Sequence, residues 1–304
     1  MTKPTKLYTN THQISFLITR GLITLLLNKP YFEKLLTSTV SMPSTSNNPV
    51  RKPEMSAHIH RIFDRKALKV SCSNCTLSEL CLPHNLDQRE ISQLESAVDI
   101  KRPIQKGEHL YSAGDPFESL FAVRSGSFKT YLLTPEGDEQ ITGFNLPGDL
   151  LGLDGIDTGS HTVSAIALET TTVCELPYTQ LDTLCSEIPG LRLHMMRIAS
   201  REISDDHNML LLLGKMTAEE RLASFLLSLS NRLKKRGYSA TDFNLTMPRH
   251  DLANYLGLAV ETISRLFSRF QEDDLLRVNR RNIHIADLQR LQAITTHTSC
   301  PKPA

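Results

Sequence analysis

The sequence predicts an α+β fold: an N-terminal antiparallel β-roll, one long helix, and a C-terminal winged helix-turn-helix. Three observations predict it. Glycines at 107, 114, 126, 137, 143, 148 and 152 punctuate short β-rich runs between Pro103 and about Leu176, the pattern of strands and turns in a small roll or barrel. An uninterrupted helical pattern follows from Pro189 to Met216. Then "PRHDLANYLGLAVETISRLFSRFQEDDLL" (Pro248 to Leu276) sets two helical segments around a glycine.

Composition bounds what such a chain can be. Its 304 residues exceed one usual domain, and 40% hydrophobic with 22% charged residues suits a globular protein with a full core. Net charge is +1, so the whole-chain balance does not point to nucleic acid. Between Thr217 and Ala304, however, thirteen Lys and Arg face nine Asp and Glu, a local excess that suits a polyanion. Six scattered cysteines do not make a disulfide framework in a chain of this length. Clustered thiols fit metal ligation in a reducing cytoplasm better, so the expected location is cytoplasmic. No run approaches the ~18 apolar residues of a membrane span. "ISFLITRGLITLLLN" (Ile14 to Asn28) is short and broken by Arg20 and Gly21. It is not read as a signal peptide, because no small-residue cleavage site follows and the thiol cluster argues against export.

In chain order, residues 1–54 are a disordered, optional extension. "TSTVSMPSTSNNPVRKPEM" is rich in Ser, Thr, Asn and Pro, and Met42 and Met55 are alternative starts. Residues 55–86 form a cysteine arm. Residues 87–188 form the β-roll domain, opened by a helix over Leu86 to Val98 with apolar Leu86, Ile91, Leu94 and Val98. Its strands fall on "HLYSAG", "SLFAVRSG", "FKTYLLT" and "QITGFNL". Residues 189–216 are the long helix, with Pro189 in a first turn that needs no N–H from it. Residues 217–304 carry the helix-turn-helix and, in "LLRVNRRNIHI", a β-hairpin turning at Asn279 to Asn282.

Two apolar stripes run along the long helix. Leu191, Met195, Ile198, Met209 and Leu212 form one. Met196, Ala199, Ile203, Asp206, Leu210 and Leu213 form the other, alternating steps of three and four as in a coiled-coil seam. The first stripe is expected on the chain's own roll and the second on a partner copy, giving a homodimer.

The helix-turn-helix reads as follows. A first helix over Arg249 to Tyr255 stops at Gly257, which can adopt the positive φ a tight turn requires. A second helix opens at Val260. Ile263, Leu266, Phe267 and Phe270 face inward, while Val260, Glu261, Ser264 and Arg265 face outward. Those outward groups suit a major groove. Arg265 can donate two bonds to guanine, Glu261 can accept from cytosine, Val260 can meet a thymine methyl, and Ser264 can serve several base edges. Thr262, Arg269, Arg280 and Arg281 are better placed for phosphates, which set register rather than sequence. Helix–glycine–helix alone is common; the hairpin after it makes this a winged helix-turn-helix for double-stranded DNA.

In "CSNCTLSELC", Cys72 and Cys75 are close enough to bind one metal centre and Cys81 follows. His84, in "CLPH", has poor spacing for a zinc couple. A fourth ligand must be Cys174, Cys185 or Cys300, and Cys174 is favoured because "TTTVCELP" closes the β region in a segment held by packing. Four thiolates suit zinc or an iron–sulfur cluster equally on spacing alone.

The residues "CSNCTLSELCLP", "GDEQITGF", "ALETTTVCELP", "MMRIASREI", "LLLGKMTAEERLASFL" and "NYLGLAVETISRLFSRFQ" together resemble the Crp/Fnr superfamily of bacterial regulators. Within it they resemble the oxygen-sensing iron–sulfur group of fumarate and nitrate reduction regulators and anaerobic regulators. The resemblance covers about Ser71 to Ile285. It implies a cyclic-nucleotide-binding-like jelly roll, a 4Fe–4S cluster on Cys72, Cys75, Cys81 and Cys174, and a palindromic TTGAT-type operator read by Glu261, Ser264 and Arg265. It also implies a transcription regulator and activator of anaerobic genes, not an enzyme. Its polymerase-contacting hairpin would fall at "TPEGDEQ" (Thr134 to Gln140). The other branch of the superfamily binds cyclic nucleotide in the roll through a Glu and an Arg–Ser pair. Here Leu153 stands at the Glu position and Val163 precedes Ser164 where that Arg belongs, so cyclic nucleotide is not expected: a phosphate buried without its arginine is unstable. The rival expectation is a zinc-stapled or other-effector Crp-like regulator. No nucleophile–base set or phosphate-cradling glycine loop supports an enzyme. The expected switch is a marginal dimer, favoured by Ile203 and Leu210 and opposed by Asp206 facing its copy, which loses half its DNA contacts when the cluster is lost.

Overall fold

The computed structural model describes residues 71–296, all within the unit Phe63–Ala304. The expected extension at 1–54, the apolar run at 14–28, the start of the cysteine arm and Cys300 lie outside the described residues.

The arm is a chain of turns from Ser71 to Asn85. Asp87 then caps α1 (Gln88–Ala97) through a reciprocal box with Glu90, which satisfies two otherwise orphaned helix-end donors. Strands β1 (Asp99–Ile100), β2 (His109–Tyr111), β3 (Ser119–Ser125), β4 (Phe128–Leu133), β5 (Glu139–Asn145), β6 (Leu150–Leu151), β7 (Ser164–Ala167) and β8 (Thr172–Pro177) build the roll. They form two antiparallel four-stranded sheets, ordered β1-β8-β3-β6 and β2-β7-β4-β5. Residues Ser119 to Val123 of β3 are buried throughout, because both faces of the strand are covered. Phe121 and Val123 point into the roll beside Phe128 and Val173. Leu120 and Ala122, on the opposite face, join Leu94, Leu176 and Leu191 in a second core beneath the arm and the helices.

Helix α2 (Tyr178–Glu187) leads into α3 (Pro189–Lys215), the predicted long helix with Pro189 in its first turn. Leu191, Ile198 and Leu212 of the first stripe are buried, with Met195 and Met209 partly so. Thr217 caps α4 (Ala218–Lys235) with a second capping box. The last domain adds β9 (Asp242–Asn244), α5 (Arg249–Tyr255), α6 (Val260–Glu272), β10 (Leu276–Asn279), β11 (Asn282–Ile285) and α7 (Leu288–Thr296). Ile263, Leu266, Phe267 and Phe270 face inward as expected, and Gly257 has φ +60°. The hairpin turns on Arg280, itself at φ +55°. The sheet has a third strand, in the order β10-β11-β9, which the sequence reading did not foresee.

The roll and the last domain share a core. Ile141, Phe144 and Leu146 around β5 pack with Leu222, Phe225 and Leu256, and the Phe144 ring centroid lies 5.0 Å from that of Tyr255. Asn254 of α5 grips the edge of β5: its side-chain nitrogen donates to Glu139 O (2.6 Å) and its oxygen accepts from Ile141 N (2.7 Å). Among the described residues no helix is long and apolar enough to cross a membrane.

Candidate functional site

Cys72, Cys75 and Cys81 from the arm and Cys174 from β8 line one cavity that is partly open to solvent. Local backbone bonds give the arm its shape: Cys75 N donates to Cys72 O (3.2 Å), Ser78 N to Cys75 O (3.1 Å) and Cys81 N to Leu77 O (3.0 Å). Ser73 ties the arm to α1, donating from N (2.9 Å) and Oγ (2.7 Å) to Glu95 Oε1. Cys174 is set by the sheet, opposite Ile100 on one side and Ala122 on the other. Leu82, Leu94, Val98 and Leu176 make the walls apolar, and Arg124 is the charged side chain among the lining residues.

That lining fixes the state of the thiols. Burial pushes Cys72 and Cys81 up to about 12, with neighbouring cysteines adding to it, and raises Cys174 by the same main cause. Such thiols stay protonated at neutral pH, and a metal centre binds them by displacing those protons. Among the described residues no three His, Cys, Asp or Glu side chains stand close enough for a single metal ion. A tetrahedral zinc, with Zn–S of ~2.3 Å, needs its ligands gathered tightly. Four thiols lining one apolar cavity offer soft donors to a metal centre. Cys185, on α2, packs in the neighbouring core but does not line the cavity.

A contact missed by the sequence reading ties the arm to α3. His194 Nε2 lies 3.1 Å from Cys81 O and, facing a carbonyl, must carry the proton. The His194 ring is buried and lies 5.1 Å from that of His84. Burial, then the neighbouring His84, holds its pKa below the usual histidine value, so the ring is neutral at pH 7.

On the second stripe of α3, Met196, Ile203 and Leu210 are 66%, 57% and 69% exposed. Asp206 is exposed and Ala199 half-buried on the same stripe. Leu213 is half-buried and also packs against the chain's own last domain, over Gly257. Arg221 closes that junction, donating to Met216 O (3.0 Å), Leu213 O (2.9 Å) and Leu256 O (2.9 Å). One guanidinium thus satisfies carbonyls at the ends of two helices, where cations are favoured.

On α6, Val260, Glu261, Ser264 and Arg265 are exposed and Thr262 is half-buried. Ser264 Oγ donates to Val260 O (3.0 Å), leaving its lone pairs outward. Arg269 is paired with Glu219 and lies 3.9 Å from Asp273, so a phosphate must compete with two carboxylates for it. Arg249, at the start of α5, stacks on the Phe267 ring with its guanidinium carbon 3.3 Å from the centroid, and its buried Nη1 has no hydrogen-bond partner. Arg280 and Arg281 line an open surface concavity with Asn244, Asn279 and Asn282.

Inside the roll, Tyr111 stacks on His161 at 3.7 Å, with Phe117 edge-on at 5.7 Å. The buried Ser164 hydroxyl accepts from Ala113 N (2.9 Å).

Comparison with known proteins matches these parts. Residues 101–187 match the cyclic nucleotide-binding domain family and residues 220–294 the Crp-like helix-turn-helix domain. The chain is 52% identical over 223 residues to the transcriptional activator protein Anr of Pseudomonas protegens, covering 73% of this chain and 91% of that one. It is 50% identical over 229 residues to the fumarate and nitrate reduction regulatory protein of Escherichia coli K12, covering 75% and 92%. The structure of FixK2 from Bradyrhizobium japonicum superposes with a TM-score of 0.62 at 30% identity, covering 67% of this chain and 99% of that one. Roll, long helix and winged helix-turn-helix, in this order and at this similarity, make the chain a member of the Crp/Fnr family of DNA-binding, dimer-forming transcription regulators.

Proposed function

We propose that the protein is an oxygen-responsive transcription regulator whose four thiolates, Cys72, Cys75, Cys81 and Cys174, hold a 4Fe–4S cluster in the cytoplasm. The observation that carries this reading is the convergence of three arm cysteines and one strand cysteine on a single apolar cavity. When bound, the cluster supplies an oxygen-labile bond between four sulfurs. It would join three points on the arm to one on β8. The arm is also held by the Ser73–Glu95 contacts, the Cys81–His194 hydrogen bond and the packing of Leu77 and Leu82.

His194 and Leu191 carry the state of the arm into α3. That helix presents Met196, Ile203 and Leu210 to a second copy, each worth roughly 1.5–3 kcal/mol if fully buried. Asp206 sits among them, and in a symmetric pair it meets its own image, a repulsion that grows as water leaves. The opposing effects leave pairing easy to bias. A paired regulator sets two α6 helices on a palindromic TTGAT-type operator through Val260, Glu261, Ser264 and Arg265, while Thr262, Arg269 and the wing arginines hold phosphate. A single chain has half those contacts and binds weakly. The end of the β4–β5 hairpin, Thr134 to Gln140, with Leu132 and Leu133 exposed beside it, suits contact with RNA polymerase.

Cyclic nucleotide has no part in this reading. The aromatic stack of Tyr111 and His161 occupies the roll interior, and Leu153 and Val163 stand where an acid and an arginine would be needed. The deciding experiment is anaerobic purification with iron and sulfide analysis, visible spectroscopy, and sedimentation before and after air. Colourless, iron-free protein that still binds its operator under anoxia refutes the proposal.

A further inference from the structure

We infer that Asp149 is a positioning residue: it holds the first helix of the DNA-binding domain to a turn on which the cysteine arm rests. The inference builds on the reading of the arm as the sensor.

The turn is Pro147–Gly148–Asp149. On one side it meets the arm. Leu80, next to Cys81, lies so close that a Cβ added to Gly148 would stand 3.1 Å from its own Cβ. Gly148 also has φ +93°, so glycine is required there on two counts. Two backbone bonds fasten the turn to β3, Gly148 N to Val123 O (2.8 Å) and Val123 N to Asp149 O (3.0 Å). Leu150, the next residue, shares a core with Cys81 and Leu82.

On the other side the turn holds α4. Asp149 Oδ2 accepts from Arg232 Nη2 (2.5 Å) and from Leu146 N (2.8 Å), and its Oδ1 accepts from Arg236 Nη2 (2.6 Å). Arg236 Nε also donates to Pro147 O (2.6 Å), and Arg232 Nη2 to Phe144 O (2.7 Å). The Arg236 side chain is only 4% exposed, which limits its freedom to pair with anything else. Leu80 and the two guanidinium groups therefore bear on three consecutive residues, and displacement of the arm is felt at the last turn of α4. This route needs no partner chain, and it reaches α6 through the core that α4 shares with Ile263 and Phe267. Such a link through packed side chains and ion pairs is a coupling whose size must be measured.

Hydrogen–deuterium exchange on the full chain tests it, with absorbance reporting the cluster and sedimentation the dimer. In the unaltered protein, air should raise uptake at residues 145–150 and 229–236 together. Asp149→Asn should keep the anaerobic absorbance and the dimer, yet show raised uptake at 229–236 before air and about tenfold weaker operator binding. Leu80→Ala should raise uptake at the turn and at 229–236 alike. Uptake at 229–236 equal to the parent's in both variants overturns the inference. If the anaerobic protein proves colourless, the sensor reading fails by itself, and the Leu80→Ala comparison still decides whether arm and α4 are linked.

Discussion

His194 Nε2 on the long helix donates to the carbonyl oxygen of Cys81 at 3.1 Å, joining residues 113 positions apart. This bond places the arm's last cysteine on the helix that carries the exposed Met196, Ile203 and Leu210. Removing it with His194→Ala should weaken pairing under anoxia. A net hydrogen bond is worth about 0.5–1.5 kcal/mol, so the dimer constant should fall roughly two- to tenfold by sedimentation. His194→Gln, which retains a donor, should lose less. An unchanged dimer in His194→Ala removes this bond from the coupling.

The ligand set makes a sharper prediction. Ser substitution at Cys72, Cys75, Cys81 or Cys174 should each abolish cluster absorbance. Cys185→Ser should leave it intact, because Cys185 packs on α2 outside the cavity; Cys300→Ser is expected to do the same. Each replacement is nearly isosteric, so far-ultraviolet circular dichroism should stay unchanged. A cluster lost in Cys185→Ser and kept in Cys174→Ser would reassign the fourth ligand.

Elements with strong local period and clear stops were legible in the sequence. Gly257 between two apolar-periodic segments located α5 and α6, and the alternation of three and four along α3 separated its buried stripe from its exposed one. Cys174 was singled out because it lies in a packed strand, although spacing cannot show that β8 faces the arm. Short elements with little local signal were not found. Strand β9 has three residues, and the ten-residue α2 has Pro177 at its N-cap with no side-chain cap. The contacts that join one domain to another were also invisible. Arg232 and Arg236 reach Asp149 across 83 and 87 residues, and Arg221 reaches the carbonyl of Leu256 across 35. On a helix such arginines read as solvated charge until tertiary structure supplies the acceptors. Leu213 has the spacing of the seam and also packs on its own C-terminal domain, a contact that spacing does not show.

Asp206 tests the balance at the seam. It is exposed, flanked one turn away by Ile203 and Leu210, which are largely exposed too. In a symmetric pair its carboxylate loses water beside a like charge. Asp206→Ala removes that cost and keeps the helix, since alanine is the best helix former. The variant should sediment as a dimer in air, while Ile203→Ala should be monomeric even under anoxia. A monomeric Asp206→Ala in air excludes repulsion as the brake.

The arginines of the DNA-binding domain should separate by role. Arg265 is exposed on the outer face of α6, the position for two bonds to one guanine. Arg265→Ala should cost about 1–3 kcal/mol and relax preference at one base pair in each half-site. Arg280, at the tip of the wing in its open concavity, should act on the phosphate backbone. Arg280→Ala should weaken all sequences alike and lower the salt slope by about one for each chain. Arg269 should fall below both, because Glu219 and Asp273 already compete for its guanidinium. Operator titrations across a salt series, with single base-pair changes, measure all three. If Arg280→Ala altered base preference while Arg265→Ala altered only the salt slope, the wing rather than α6 would be the reader.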